Sequence, residues 1–469
     1  MSRYNKAKGV NNKEINTVAL NKNARFKVAL IYPNTYSVGM SNLGFQTIYY
    51  QLNKRQDTLC ERFFYERGKK EFLSIETKNS LRSFDILAFS ISFELDYFNV
   101  LNILRDIELC LDREGRPHMP LIVAGGIVNS FNFLPVSKFS DAVFVGEAEE
   151  SLAEFMDGLT AHKHINSKPQ KDKVLAQLAQ IKGVFIPGIS NQDLISARYI
   201  EDVTLYPAST KILSPGAEFS NTFLVEVSRG CPWQCYFCVT AAVGGRFRPQ
   251  RLDILKKEID FGLQYTAKIG LVGTAVSDHP EIDNLIFYLK KRKARISVSS
   301  LRVETVKANL LTALAAGGQR TVTFAPEAGS ESLRFSLNKK ITDQEILDKI
   351  TLAKECGIKK IKLYFMIGLP NETEQDIEAI INLTELAACI LPVNLNIGIF
   401  VPKPKTPWAN ERFADRGLLA TRLKYLKRNL QGKRIIKVNS MSLKQAMQES
   451  LLAFADENFL DKYLASSKG

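Results

Sequence analysis

Phe223-Leu-Val-Glu-Val-Ser-Arg-Gly-Cys231-Pro-Trp-Gln-Cys235-Tyr-Phe-Cys238 runs from a short apolar stretch, through Arg229-Gly230, into three cysteines within eight positions. Three thiolates at this spacing can hold three irons of a [4Fe–4S] cluster and leave the fourth open to a small ligand. A ferredoxin run closes every iron with four cysteines. A structural zinc site needs four ligands and commonly shows two C-x2-C hooks. The other four of the seven cysteines, Cys60, Cys110, Cys356 and Cys389, stand singly in apolar or helical settings. They read as small core residues. Cys231, Cys235 and Cys238 are therefore the candidate metal ligands.

Working outward, the apolar stretch before the cysteines is the first of six candidate strands: Phe223–Val227, Ile269–Val272, Ile296–Ser299, Thr321–Ala325, Ile361–Phe365 and Leu395–Phe400. Helix-length segments such as 282–291 and 343–356 separate them. Six such units predict a partial, open (β/α)6 barrel of TIM type, whose chemistry is built at the carboxyl ends of the strands. The cysteine loop follows the first strand, at that end. Upstream, Lys27–Tyr32, Asp85–Ser90, Leu121–Ala124 and Ala142–Val145 alternate with helix-length segments. This pattern predicts a doubly wound parallel sheet of Rossmann type. Ligands of such sheets sit beyond the carboxyl ends of the strands, where Gly125-Gly126 and Gly146-Glu147 fall.

The expected organisation is thus a basic arm (1–26), a doubly wound domain (27–160), a connector (161–220), a barrel (221–402) and a small, basic, helical C-terminal extension (403–469). His162 and His164 fall in the polar breaker that opens the connector and read as a solvated loop. The chain has 469 residues, a net charge of +14 and 45% hydrophobic residues, which excludes a disordered class. No apolar run approaches the ~18–20 residues that cross a bilayer. The polar, basic start lacks a secretory h-region. These features, with unpaired thiols, predict a cytoplasmic protein. The charge is concentrated at the ends. Residues 1–26 carry six Lys/Arg against Glu14, and residues 403–437 carry eleven against Glu411 and Asp415. Such tracts suit a polyanionic partner such as RNA, or an anionic lipid surface; the plain alternative is a solvated face.

Cys231, Cys235 and Cys238, with Phe237 before the last, resemble the signature of the radical S-adenosylmethionine (SAM) superfamily. That resemblance implies a [4Fe–4S] cluster whose open iron is chelated by the amine and carboxylate of SAM. It also implies an external one-electron donor of flavodoxin or ferredoxin type and a 5′-deoxyadenosyl radical that abstracts hydrogen. Gly273-Thr274-Ala275 sits where many members have a Gly-Gly-Glu run that meets the SAM amine. The glutamate is absent here, so that contact falls to backbone carbonyls or to Ser277 and Asp278. Ser299-Ser-Leu-Arg302 follows the third strand, and Phe324-Ala-Pro-Glu327-Ala-Gly-Ser-Glu331 resembles the segment that touches the SAM ribose. Met366-Ile-Gly368-Leu-Pro370-Asn-Glu372 is similar to the turn that packs on adenine. By this resemblance Gly273, Thr274, Ser299, Arg302, Glu327, Gly368 and Pro370 form the SAM site.

The front domain is similar to the cobalamin-binding domains of one branch of that superfamily. The branch commonly has Asp-x-His-x-x-Gly after the first strand, with the histidine ligating cobalt. Here Asn34-Thr-Tyr36-Ser-Val-Gly39 occupies that place, and a phenol is a poor cobalt ligand. Cobalamin is therefore held without a protein histidine, or the domain keeps the fold without the cofactor. Asn34, Tyr36, Gly39, Gly125, Gly126, Gly146 and Glu147 are the pocket residues that the resemblance implies. The runs 36–44 and 401–407 belong to the same likeness. A second cysteine triad, as in methylthiotransferases, is lacking. The expected activity is C–H activation by a radical SAM enzyme, with methyl transfer through cobalamin as one form. The alternatives are a cobalamin-free enzyme modifying RNA, and a non-enzymatic cluster- or zinc-bearing nucleic-acid-binding protein.

Overall fold

The computed structural model describes residues 14–68, 71–162 and 167–466. In the front half, β1 (Phe26–Tyr32), β2 (Thr58–Phe64), β3 (Ile86–Ser90), β4 (Leu121–Gly125), β5 (Ala142–Phe144) and β6 (Val184–Phe185) form one sheet in the order β2-β1-β3-β4-β5-β6. The first five strands are parallel, and β6 adds an antiparallel edge. Alternation along β1 divides the core between two faces. Val28, Leu30 and Tyr32 pack with helices 43–54 and 149–160, and Ala29 and Ile31 pack with helix 96–106. The 2-1-3-4-5 order puts the topological switch point between β1 and β3, where such sheets bind ligands.

Residues 161–220 are more than a connector. Lys168–Leu178 is a helix whose Val174, Leu175 and Leu178 enter the front core, and β6 completes the front sheet. Its stripe of three apolar residues in a polar segment explains why the sequence reads as a breaker. The basic arm lies outside the described residues up to Lys13. From Glu14 onward it is tied down by an Ile15–Leu213 bridge. His162 Nε2 meets Gln177 Oε1 at 2.6 Å, and His164 lies outside the described residues.

The barrel strands are β7 (Phe223–Glu226), β10 (Lys268–Val272), β11 (Arg295–Val298), β12 (Thr321–Glu327), β13 (Lys360–Ile367) and β14 (Val393–Ile399). They form two parallel groups, β11-β10-β7 and β12-β13-β14-β15, around one shared apolar core. The last of these, β15 (Ile436–Ser440), comes from the tail: besides its helices, that segment adds a seventh parallel strand. Helix 459–466 then returns to the front unit, where Phe459 and Leu460 are buried beside Tyr97 and Phe133. Two short strands, β8 (Ser228–Arg229) and β9 (Arg248–Pro249), pair antiparallel and close the base of the cysteine loop.

Candidate active site at the barrel mouth

The cysteine loop is pinned at both ends. Gly230 has φ +70°, and a Cβ there would stand 2.3 Å from the Arg246 carbonyl oxygen, so only glycine lets the two arms approach. Phe237 packs on a small core of Ala328, Leu333, Leu337, Leu369 and Phe400, bringing together the segments after β12, β13 and β14. Beyond Cys238, helix 239–243 buries Val243 against the front unit. Cys235 is buried; Cys231 and Cys238 are half-buried. Burial pushes the Cys231 and Cys235 thiols up, whereas Lys339 and Arg302 favour the thiolate at Cys235.

No three His, Cys, Asp or Glu side chains among the described residues converge as ligands of one metal ion. Thiolates that bind different irons of a cubane need not converge on a point. Three thiols on one braced loop, facing two cations, fit such a cluster.

Around this loop Arg302 lies over the Trp233 ring at 4.2 Å and pairs with Glu304. Trp233 Nε1–H donates to Asp278 (2.8 Å), whose other oxygen accepts from Thr305 (3.1 Å). Glu327 ends β12 across a bulge with φ +75°, a left-handed conformation that a glutamate holds only when its surroundings impose it. Lys339 Nζ donates to Glu327 (3.2 Å) and to the Ala325 carbonyl. Gly273 lies against Ser228, and a Cβ there would stand 2.9 Å from its Oγ. Thr274 and Ser299 are exposed, and Pro370 is half-buried. Gly368 is different: its N–H donates to Glu372 (2.7 Å), and its Cβ position faces Leu419 and Ala414. It is a turn glycine packed on the tail, with its N–H already used. Burial pushes the Glu372 carboxyl up to about 7, against the opposing pull of Gly368 N–H and Arg422.

Lys339 and Arg334 were missed. Fully buried Arg334 donates to the carbonyls of Ala328 (3.1 Å), Gly329 (2.7 Å) and Ile341 (2.9 Å), and so shapes the loop after Glu327. In sequence, both residues look like ordinary surface charges.

In the front unit a narrow apolar cavity of about 80 Å³ lies between the sheet and helices 43–54 and 149–160. Leu30, Ile48, Val123, Leu152 and Phe155 line it, with Ser90, Gly125 and Gly126 at the strand ends. Beside those ends Phe93 and Ile127 are exposed apolar residues. Four of the expected pocket residues are engaged elsewhere. Tyr36 is buried against Phe64; its hydroxyl donates to Glu14 (2.6 Å) and accepts from the Ser214 hydroxyl (2.8 Å). Gly39 is packed under Phe64 and Tyr32, and Gly146 under the Arg198 backbone. The Glu147 carboxylate takes two bonds from Arg248 (2.7 and 2.9 Å), which join the front turn to the end of the cysteine loop. A neighbouring pair, Arg229–Glu149 (2.7 Å), makes a second such tie. Asn34 holds Asp96 at the switch point (3.0 Å).

Two family models match the chain: "Radical SAM proteins, N-terminal" over residues 44–187 and "Radical SAM superfamily" over residues 225–384. An uncharacterized protein of Methanocaldococcus jannaschii is 32% identical over 446 residues, covering 94% of this chain and 91% of that one. The chain belongs to the radical SAM superfamily. Two solved structures share its fold. TsrM from Kitasatospora setae, a radical SAM methyltransferase with cobalamin and a [4Fe–4S] cluster bound, has a TM-score of 0.56 at 13% identity. That match covers 82% of this chain and 74% of TsrM. OxsB, a cobalamin-dependent SAM radical enzyme, has a TM-score of 0.57 at 15% identity, covering 91% and 61%. The two α/β units of this radical SAM chain thus share the fold of these two enzymes. Membership implies a [4Fe–4S] cluster, SAM and an external electron donor. No helix among the described residues is long and apolar enough to cross a membrane.

Proposed function

We propose that this radical SAM protein activates a C–H bond of its substrate, in the form of cobalamin-dependent methyl transfer. The observation that carries the radical chemistry is the meeting of three loop thiols, Arg302, Lys339 and strained Glu327 at one barrel mouth. Cys231, Cys235 and Cys238 would hold the cluster. Its electron, taken from the external donor, would cleave SAM into methionine and the 5′-deoxyadenosyl radical. Glu327 is suited to accept from the ribose diol, with Lys339 fixing its carboxylate, and Gly273, Thr274, Ser299 and Pro370, which follow β10, β11 and β13, would complete the SAM site. Anaerobic reconstitution should give a protein that forms 5′-deoxyadenosine from SAM, and Cys235→Ala should not. Equal product from both proteins would reject the assignment.

The cobalamin half rests on the apolar slot that reaches Ser90, Gly125 and Gly126 at the strand ends, with exposed Phe93 and Ile127 close by in sequence. A flat aromatic group fits such a slot, and a corrin ring would cover the two exposed side chains. With Tyr36 bonded to Glu14 and Ser214, the turn at residues 34–39 offers cobalt no ligand. Leu152→Trp fills the slot from its wall. It should abolish corrinoid uptake while the cluster still loads; undiminished uptake would refute the slot as the corrinoid site, and a wild type that takes up none would remove cobalamin from the proposal. A second reading, a cobalamin-free enzyme acting on RNA, is favoured by the groove where Lys424, Lys427 and Arg428 gather. Transfer RNA binding that weakens steeply with salt would support it.

A further inference from the structure

Two helices of the barrel unit, Leu252–Gly262 and Ile282–Lys291, line a surface groove of about 540 Å³. Lys256 faces it from the first helix, and Phe287, Tyr288, Lys291 and Arg292 from the second helix and its end; no carboxylate lines it. The second helix buries Ile282, Leu285, Ile286 and Leu289 in the barrel core, which leaves Phe287 70% exposed. Lys256 (5.2 Å) and Arg292 (6.0 Å) both approach the Tyr288 ring, whose hydroxyl donates to Asp260 (2.6 Å).

The acids of these helices are already engaged. Asp260 holds Arg292, Asp283 holds Lys307, Asp253 holds Arg251, and Glu258 holds Ser209 and Lys211. Lys256 and Lys291 are left without an ion pair among the described residues. The chain then leaves the second helix through Lys290-Lys-Arg-Lys-Ala-Arg295, and Arg295 stands in register with Lys268 of the neighbouring strand. A helix dipole favours cations in the last turn. It accounts neither for Lys256, mid-way along the facing helix, nor for the exposed phenylalanine between the cations.

Binders of single-stranded nucleic acid combine a positive groove that tracks the backbone with aromatic side chains on which bases stack. A second copy of this chain would set the same cations against one another in a twofold contact. Interfacial helices insert a whole apolar face into lipid, whereas this one offers a single exposed apolar ring. Asn284, on the same helical stripe as Phe287 and Lys291, brings an amide that can bond a 2′-hydroxyl. We propose that this groove docks single-stranded RNA, with a base stacked on Phe287 and phosphates at Lys256 and Lys291. The inference rests on neither the cluster nor the corrinoid.

The test is fluorescence anisotropy of a labelled single-stranded oligoribonucleotide of about 12 nucleotides, titrated with full-length protein across a salt series. Phe287→Ala should weaken binding about tenfold and leave the salt slope unchanged, because stacking is lost and charge is not. Lys256→Gln combined with Lys291→Gln should lower the salt slope by about 1.4, at about 0.7 per phosphate contact. Labelled polyphosphate, which has charge but no bases, should bind wild type and Phe287→Ala alike; an equal loss there would overturn the stacking role. The matching DNA should bind more weakly, and equal affinity would overturn the choice of RNA. RNA held equally by wild type and Phe287→Ala would overturn the inference, as would a loss confined to Lys424→Gln combined with Lys427→Gln. Vesicles of phosphatidylcholine and phosphatidylserine that bind through Phe287 when RNA does not would assign the surface to lipid and overturn it too. A wild type that binds no RNA overturns the inference and leaves the radical SAM assignment intact.

Discussion

Replacing Arg334 by Met asks whether the loop after Glu327 is held by one buried side chain. Arg334 is 0% exposed and supplies the donors for three carbonyls, those of Ala328, Gly329 and Ile341. Methionine fills similar apolar volume and donates nothing. Each orphaned buried acceptor costs about 1 kcal/mol at the low end, so the three together cost about 3 kcal/mol. The Asp343 partner is 45% exposed and rehydrates, so its loss adds little. At about 1.4 kcal/mol per factor of ten, local opening should rise by about two orders of magnitude. Hydrogen exchange followed by mass spectrometry reads this at the amides of Leu337, Lys339 and Ile341, each bonded within the loop. Exposed Lys340→Ala is the control and should leave exchange unchanged. Loop amides in Arg334→Met that exchange as slowly as in wild type would refute the reasoning. So would a rise shared equally by β13, which would signal global loosening. The loop carries Lys339, so the variant should also bind SAM less tightly.

Glu147→Gln leaves Arg248, buried against the front unit, with half of its carboxylate bond, at a cost of about 2 kcal/mol or more. Limited proteolysis between residues 186 and 222 should then proceed faster; an unchanged digest would count against the clamp. Burial pushes the Asp96 carboxyl up to about 6, against its ordinary value of 3.8. A raised carboxyl supplies stability that is present below about pH 4 and lost as pH rises through about 6. Asp96→Asn should therefore match wild type near pH 4 and exceed it above pH 6 by on the order of 2 kcal/mol, read from urea midpoints. Parallel pH profiles would contradict this. Gly126 has φ +111°, and a Cβ there would stand 2.2 Å from the Ile91 carbonyl oxygen. Gly318 has φ +91° in open space. Alanine at 318 should cost about 1 kcal/mol of backbone strain, and alanine at 126 clearly more. Equal denaturant midpoints for the two variants would show that the close approach does not matter.

The strands were legible wherever short β-branched or leucine-rich runs stood between helix-length segments, as at Ile361–Phe365 and Leu395–Phe400. β15 was not, because Ile436-Lys-Val-Asn-Ser440 alternates at the edge of the barrel and carries a charge within a basic tract. Helix 168–178 was hidden by its polar composition. At the candidate site, the cysteines and Glu327 stood out in sequence by spacing and by likeness to the family's turns. Lys339 did not, since nothing in Leu337-Asn-Lys-Lys340 distinguishes the lysine that folds inward from the one that stays in water. Tyr36 lies in the turn after β1, as the sequence implies, but its side chain is bonded to Glu14 and Ser214.

Local pattern alone determined the parallel α/β architecture and the cysteine triad, because periodicity and ligand spacing are properties of neighbouring residues. Tertiary structure decided what each charge meets: Arg302 the Trp233 ring, Lys339 Glu327, Arg248 Glu147. Those partners lie 69, 12 and 101 positions apart along the chain. A charge reveals its role only when folding removes its water and supplies its partner, and that event has no local signature.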